Sequence, residues 1–355
     1  MYRLIPLLIA AGAPVSPPAA TCVVVRPMLL AGQACADAPT GVAIAASADR
    51  AAALASLAAQ GEARFTLRFA RPVPRYAVVE MIGNTRDAAL DARLKAAGIG
   101  WRLPWLSEQA MADALRASVR RGAEAQADAQ HLSPDARDRV IAAAESKAAA
   151  MTSPASAHAK DAAGVPHELG HGWFIRAWWP IAAIDGGGHY GGPAPDWMDE
   201  VAAVLMEDDT LSGRRRTQFA TVFRGQDTVA RVKLLDLATF LSGGHPALPA
   251  LASAPGAGGT GAVRVLAGPE AAALLAAATG FYLQSRLFAD YVLARSGDPA
   301  AFRTAADAFA GGLTTAQWLA SSGPALHLPT TVAAVQADWE KWLSETMPPA
   351  APSRS

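Results

Sequence analysis

Cysteine is scarce in this chain, which limits the metal sites that the protein can build. Only Cys22 and Cys35 are present among 355 residues. Two thiolates cannot complete a zinc–thiolate site, so a metal here needs histidine and carboxylate ligands. An oxidising compartment would permit a disulfide between the two cysteines.

The chain also lacks an excess of charge of either sign. Lysine plus arginine and aspartate plus glutamate each total 31, which leaves no formal net charge. Long-range attraction to nucleic acid or to an anionic membrane surface is therefore not expected. The 52% hydrophobic content can fill a sizeable core. We expect a globular protein whose function lies in a local site and whose partners include no nucleic acid.

No hydrophobic run is long enough to predict a stable membrane span. The N-terminus "MYRLIPLLIAAGAPVSPPAATC" has one arginine, a short apolar run interrupted by Pro6, and small residues near Ala19 and Ala20. This pattern is typical of a signal peptide, here over residues 1–20. It predicts export to the periplasm or the extracellular space. The alternative, a short buried helix, stays open.

Two catalytic signatures are missing. No G-x-S-x-G stretch is present, so serine hydrolase chemistry has no support. No G-x-x-x-x-G-K-[ST] stretch is present either, so the glycine-rich segment "DGGGHYGG" does not indicate nucleotide binding.

The pattern of elements predicts an α+β fold. Phenylalanine, valine and tyrosine in "ARFTLRFARPVPRYAVVEMIG", residues 63–83, predict two strands separated by the prolines. Helices are predicted from Asp87 to Gly98, after Ser107 and from Pro134 onward. The alanine-rich residues 121–160 are also expected to be helical.

Further helices are predicted near the C-terminus, in "FYLQSRLFADYVLARSG", "DPAAFRTAADAFAGG" and "TVAAVQADWEKWLSE". We predict an N-terminal strand and helix region over 21–160, a helix-rich catalytic region over 161–346 and a disordered tail over 347–355. Residues 248–263, rich in proline, glycine and alanine, are predicted to form a surface loop.

The stretch "HELGH" at 167–171 carries the strongest functional signal. On a helix, His167 and His171 share one face, and Glu168 can reach a water beside them. Zinc in such sites takes three protein ligands and lowers the pKa of water at its open position to about 7. Chance would produce roughly 0.004 copies of H-E-x-x-H in a chain of this composition. The alternative is a polar patch near a helix start, because Pro166 favours a first turn.

A third ligand is expected further along the chain. Phe174 and Ala177 occupy the positions where a metzincin has glycine and histidine, so that subclass is excluded. In "PDWMDEVAAVLMED", Asp196 is predicted to cap a helix and Glu200 to lie on its second turn. A carboxylate that faces inward from this helix can complete the site, and His189 in the glycine-rich loop is an alternative third ligand.

"HELGHGWF" followed by "WMDEVAA" resembles the gluzincin metallopeptidases, including, more distantly, the aminopeptidase N family. The resemblance implies a zincin-like catalytic domain that binds Zn²⁺ through His167, His171 and Glu200, with Glu168 as general base. Trp197 matches the family's tryptophan. The segment between His171 and Glu200 is longer than in those aminopeptidases, and no G-x-M-E-N stretch is present. Aminopeptidase specificity is therefore not supported.

The segment "GFYLQSRLFADYVLARSGDPAAFRTAADAFAGG" is similar to the C-terminal helices of bacterial peptidase-MA-like proteins. The similarity implies that Tyr282 donates a hydrogen bond to the reaction's oxyanion. The alternative is a half-buried core tyrosine.

Several other segments have weaker interpretations. His131, His158, His245 and His327 are isolated and are interpreted as surface or hydrogen-bonded histidines. "GRRRT" at 213–217 is interpreted as a solvated basic turn, and His189 and Tyr190 as part of a lid or specificity loop. The strand "RYAVVEM" is the candidate for pairing with extended substrate.

Taken together, these patterns predict a zinc metallopeptidase that acts on a peptide or protein substrate. Two alternatives stay open: a non-catalytic zincin-fold binding or assembly protein, and a zinc hydrolase of a non-peptide amide or ester. The sequence does not indicate an oligomeric state.

Overall fold

The computed structural model describes residues 21–81, 88–151, 154–180, 192–227, 232–246 and 268–347. Within them an N-terminal four-stranded mixed sheet is followed by a mainly helical C-terminal part. The predicted α+β class is confirmed. The signal peptide, the loop containing His189 and Tyr190, the loop at 248–263 and the tail beyond residue 347 lie outside the described residues. The predicted boundary between residues 160 and 161 falls within a helix.

The sheet has the order β1–β2–β3–β4. Its strands are β1 (Ala34–Asp37), β2 (Gly41–Ala45), β3 (Tyr76–Met81) and β4 (Arg102–Leu106). The first pair is antiparallel, and the other two pairs are parallel. The parallel pairs need crossover connections, which contain the helices α2 (Ala48–Phe69) and α3 (Ala88–Ala96).

The two crossover helices cover opposite faces of the sheet. Leu54 of α2 shares a buried cluster with Tyr76 and Val78, whereas Leu90 of α3 shares another with Val79. Because side chains alternate along a strand, each face supplies one of these clusters. The first helix, α1 (Thr21–Val25), joins the cluster on the α3 side, where Cys22 and Cys35 form a disulfide. The disulfide is consistent with export to an oxidising compartment.

One of the two strands predicted in residues 63–83 is wrong. Residues 63–69 form the last turns of α2, and Tyr76–Met81 is the one strand among the described residues of this stretch. Phe65 and Phe69 are separated by one helical turn, lie with ring centroids 4.8 Å apart and are fully buried. Aromatic residues favour strands, but two residues four positions apart lie on the same face of a helix.

β3 is not an edge strand, so the prediction that "RYAVVEM" pairs with extended substrate is wrong. It pairs with β2 on one side and with β4 on the other, so its main-chain groups are used within the sheet. Among the described residues β4 has one paired neighbour and forms an edge of the sheet. Pro104 fits this position, because an edge strand can tolerate a missing backbone N–H.

Two long helices follow the sheet, α4 (Glu108–Ala129) and α5 (Pro134–Met151), and they pack against each other. The Ser107 hydroxyl accepts a hydrogen bond from the backbone N–H of Ala110, as its predicted capping role requires. The next helix, α6 (Pro154–Trp178), contains the H-E-x-x-H motif. The described part of residues 121–160 is thus largely helical, as expected.

Pro166 lies inside α6, three turns from its start. The alternative interpretation, in which the helix starts at this proline, is therefore wrong. A proline at this position leaves the carbonyl of Ala162 without its usual helical donor. The helix continues through Pro166 because residues on either side of the proline are packed in the core: Val165 and Leu169 are both fully buried.

The remaining described helices follow α6 along the chain. They are α7 (Asp196–Val204), α8 (Asp209–Phe223), α9 (Leu237–Ser242), α10 (Gly268–Ser296), α11 (Phe302–Ala310), α12 (Thr315–Ser322) and α13 (Val332–Thr346), with 3₁₀ turns at Arg26–Met28 and Pro324–Leu326. Helix α7 packs directly against α6. Trp197 of α7 is fully buried and contacts the rings of Phe288, Phe309 and Trp318. No helix in the described segments has the length and apolar character to cross a bilayer.

Gly170 permits the close approach of α6 and α7. A Cβ atom at this glycine would lie 2.9 Å from the Cα of Ala203 and 2.8 Å from the Cγ of Met206. These distances are too short for any side chain, and the Ala203 contact is with backbone. Gly170 therefore sets the separation between the helix with the two histidines and the helix with Glu200.

We expect Gly170→Ala to destabilise the protein by about 1–3 kcal/mol, because the added methyl group forces α6 and α7 apart. The matched control is Gly122→Ala within α4, where the added methyl meets no atom within 4 Å. The control should stabilise the protein by about 0.4–1 kcal/mol through the unfolded state. Urea unfolding measures both changes, and equal stability of the two variants would contradict the account of this contact.

Candidate metal centre

His167, His171 and Glu200 converge on one point between α6 and α7. One ligand atom from each residue lies within 4.8 Å of the others. The Nε2 atom of His167 is 3.6 Å from Glu200 Oε1, and the Nε2 atom of His171 is 3.7 Å from Glu200 Oε2. All three residues are buried, with 8%, 3% and 0% of their surface exposed. The structure thus brings together the three residues selected from the sequence, in a group that can hold a metal ion.

The spacing of these atoms fits a small divalent ion. Tetrahedral bonds of about 2.0–2.1 Å place neighbouring ligand atoms about 3.4 Å apart. The two nitrogen-to-oxygen distances, which run to different oxygens of Glu200, exceed this value by only a few tenths of an ångström, and all three ligand atoms lie within 4.8 Å of one another. Two imidazole nitrogens and a carboxylate oxygen are also a donor set that suits zinc.

Each imidazole has a further carboxylate next to its Nδ1 atom, whereas its Nε2 atom faces Glu200. The Nδ1 atom of His167 is 2.8 Å from Glu207 Oε1, and the Nδ1 atom of His171 is 3.2 Å from Asp199 Oδ2. An ionised carboxylate can only accept a hydrogen bond, so Nδ1 of His167 donates to Glu207 and its Nε2 keeps a lone pair for a metal. Carboxylates in this position fix the orientation of metal-binding histidines.

The electrostatics of the group favour a bound cation. Burial opposes protonation of His171, but Asp199, Glu200 and Glu168 outweigh it and raise its pKa to about 10. Burial raises the pKa of Glu200, against the opposing effect of the two histidines. The carboxylates that stabilise a proton on His171 would also attract a metal ion.

Glu168 and Tyr282 both lie beside the three-residue group. Glu168 is half-buried on α6, and its charge contributes to the raised pKa of His171. Tyr282, on α10, is also half-buried, and its ring centroid is 6.0 Å from that of His167. Tyr282 therefore lies next to the histidines, with a half-buried side chain.

His245 is a neighbour of the site that the sequence interpretation missed. It is 1% exposed, and its ring centroid is 5.5 Å from that of Tyr282. Burial and the nearby charges of His171 and His167 lower its pKa to about 4, so its imidazole is neutral at pH 7. His131, His158 and His327 are exposed, in agreement with their interpretation as surface residues.

Asp196 explains how His245 is held. The residue is predicted to cap α7, but Pro195 occupies the capping position and no side chain caps the helix. The Asp196 carboxylate instead accepts a hydrogen bond of 2.6 Å from the backbone N–H of His245. No local sequence signal predicts this contact, because it joins residues 49 positions apart.

Arg215 is a second residue that the sequence interpretation missed. The stretch 213–217 lies within α8, so its interpretation as a solvated turn is wrong. Arg215 donates to both oxygens of Glu207, and its side chain is 15% exposed. Burial would raise the pKa of Glu207, but hydrogen bonds from His167 and Arg215 outweigh burial and lower it. Glu207 is therefore ionised at neutral pH.

The alternative third ligand, His189, lies outside the described residues, so Glu200 alone can be placed. No protein-family model, no curated protein and no solved structure matches this chain.

Proposed function

We propose that this protein is a zinc-dependent hydrolase of the gluzincin type that cleaves peptide bonds. The observation that carries the proposal is the convergence of His167 Nε2, His171 Nε2 and a Glu200 oxygen in a buried group. The carboxylates behind both imidazoles support it, since they orient lone pairs toward a shared ion. We assign the catalytic region to residues 161–346 and infer a zincin-like arrangement for it.

The three residues would bind the ion as ligands and leave one position open. When bound, the metal supplies Lewis-acid activation of a water and of the scissile carbonyl. Three protein ligands and an open position are the arrangement of catalytic rather than structural zinc sites. The resemblance of "HELGH" and "WMDEVAA" to gluzincins supports the same ligand set.

Glu168 would act as the general base. It accepts the proton of the attacking water and later passes it to the leaving amine. Its place on the helix next to His167, with its charge close to His171, suits this task.

Tyr282 and His245 would form one wall of the reaction centre. The Tyr282 hydroxyl donates a hydrogen bond to the carbonyl oxygen as negative charge develops there. The imidazole of His245 packs beside that ring and is neutral, so it can act as a hydrogen-bond partner rather than as a fixed charge.

The edge strand β4 is the proposed site for main-chain pairing with an extended peptide. It runs beside the stretch of α6 that contains the motif. The close packing shows this, since a Cβ atom added at Gly164 would collide with Trp105 and one added at Gly172 would collide with Trp101, just before the strand. The carbonyl of Trp101 accepts from the N–H of Ala77, so strand alternation turns the main chain of Arg102, Pro104 and Leu106 away from β3. This outward row supplies carbonyl acceptors at all three positions and N–H donors at Arg102 and Leu106, since Pro104 has no N–H, as partners for a substrate strand.

The disulfide between Cys22 and Cys35 supports export, and we propose a periplasmic or extracellular site of action. Peptides and proteins in that compartment are the proposed substrates.

The proposed function is tested by the metal content of the purified protein and by its action on a mixed peptide library. We expect about one zinc per chain, cleavage of peptides, loss of cleavage after chelation and recovery when zinc is restored. Cleavage of amide or ester libraries without cleavage of peptides would favour a non-peptide hydrolase. Bound zinc with no cleavage of either library would favour a non-catalytic binding or assembly protein.

A further inference from the structure

Arg215 contacts two parts of the metal centre that are far apart in the chain, Glu207 in the turn after α7 and Tyr282 on α10. On one side its Nε is 2.7 Å from Glu207 Oε2 and its Nη2 is 2.5 Å from Glu207 Oε1. Glu207 Oε1 also accepts from Nδ1 of His167 at 2.8 Å. Arg215 on α8 is therefore connected to a metal-binding imidazole on α6 through one carboxylate.

On the other side, Arg215 packs on Tyr282. Its Cζ atom lies 5.3 Å from the centroid of the Tyr282 ring, within the range of a cation–π contact. The Tyr282 ring in turn lies 6.0 Å from the His167 ring and is perpendicular to it. Arg215, Glu207, His167 and Tyr282 thus form a closed cycle of contacts, which we call the Arg215 cycle.

The Arg215 cycle combines a buried pair, His167 and Glu207, with two partly buried side chains, Arg215 and Tyr282, and the charges of Arg215 and Glu207 balance. The Glu207 side chain is fully buried and that of Arg215 is 15% exposed. A buried carboxylate without a cation would be costly, and a single cation beside it offsets its charge. A guanidinium group can donate hydrogen bonds to both carboxylate oxygens of Glu207 and pack on the Tyr282 ring at the same time, whereas a lysine ammonium cannot do both.

We propose that Arg215 is a positioning residue that orients two groups of the centre together: the metal-binding His167, through Glu207, and the oxyanion-binding Tyr282, by stacking. The proposal rests on the proposed function for the role of Tyr282, but its effect on His167 requires only that the site binds a metal. Loss of Arg215 should therefore weaken metal binding and displace Tyr282 at once.

The test uses the full chain and compares Arg215→Ala and Arg215→Lys with Arg214→Ala. Arg214 is the preceding residue of α8 and is exposed, so it is the matched control. Zinc affinity is measured by competition with a chelating dye, and the visible spectrum of the cobalt-loaded protein reports the ligand geometry. We expect Arg215→Ala to lower zinc affinity about 10- to 100-fold and to change the cobalt spectrum. Arg215→Lys should restore little, and Arg214→Ala should match the wild type.

The contact with Tyr282 has its own test, a double-mutant cycle of Arg215→Ala and Tyr282→Leu in thermal unfolding. Residues in contact should show non-additive changes of the melting temperature. With zinc saturating, Arg215→Ala should lower kcat more than Glu207→Gln does, with little change in KM, because Glu207→Gln leaves Tyr282 stacked.

Wild-type zinc affinity in a folded Arg215→Ala protein, full rescue by lysine, or strictly additive unfolding would overturn the proposal. If the wild type binds zinc but hydrolyses nothing, the proposed function fails, while the affinity, spectrum and unfolding measurements still decide the role of Arg215.

Discussion

Replacing Glu168 by glutamine is expected to lower kcat by about 10²- to 10⁴-fold, the usual contribution of a general base. Glutamine has nearly the same shape as glutamate but cannot accept the proton of the attacking water at neutral pH. The three proposed ligands are untouched, so the zinc content should remain about one per chain. The measurement is the steady-state rate on the best peptide from the library, together with metal analysis of the same preparation.

Glu345→Gln is the matched control for this substitution. Glu345 lies on α13, far along the chain, and its side chain is 56% exposed. Its loss of charge should leave the rate unchanged. If Glu168→Gln retained the wild-type rate, proton transfer would have to be assigned to another group, and the role proposed for Glu168 would be wrong.

The largest effect on the metal itself is expected for Glu200→Ala. This change removes the carboxylate that lies 3.6 and 3.7 Å from the two imidazole nitrogens. The expected loss of zinc affinity is more than about 100-fold, beyond the range found when an outer carboxylate is removed. Hydrolysis should disappear with the metal.

Asp199→Asn provides a graded comparison on the same helix. Asp199 contacts the Nδ1 atom of His171, on the side of the ring away from Glu200, so in the proposed site it would orient a ligand without being one. Its loss should cost about 10- to 100-fold in zinc affinity. Competition with a chelating dye ranks the variants. Equal affinities for Glu200→Ala and the wild type, with loss of zinc in His189→Ala, would make His189 the third ligand.

The part of the site that the sequence predicts is local or depends on one short motif. His167 and His171 are one helical turn apart, so their shared face follows from helix geometry alone. Glu200 lies on the next described helix, and its apolar neighbours predict which face turns inward. The structure brings these three residues together as expected.

The missed parts of the site depend on contacts between distant segments. Glu207 reaches His167 across 40 positions, and Asp196 holds His245 across 49. In the sequence Arg215 is one of three consecutive arginines. Only the packed structure shows that its side chain is the least exposed of the three. No periodicity or local propensity encodes these pairings, because they arise when α7, α8 and α10 pack around α6.

The errors in the fold have a similar origin. The residues Phe65 and Phe69 favour a strand by composition, but a helical face buried against Trp173 and Trp178 overrides that preference. Pro166 favours a helix start, but α6 extends on both sides of it because its flanking residues are packed. In both cases tertiary burial outweighs local propensity.

A structure of the zinc-loaded protein, with the ion located by its anomalous scattering, tests the central claim most directly. The account predicts one ion bound by Nε2 of His167 and Nε2 of His171 at about 2.0–2.1 Å and by a Glu200 oxygen at about 2.0–2.2 Å. An ion bound elsewhere, or one that leaves Glu200 uncoordinated, would contradict it.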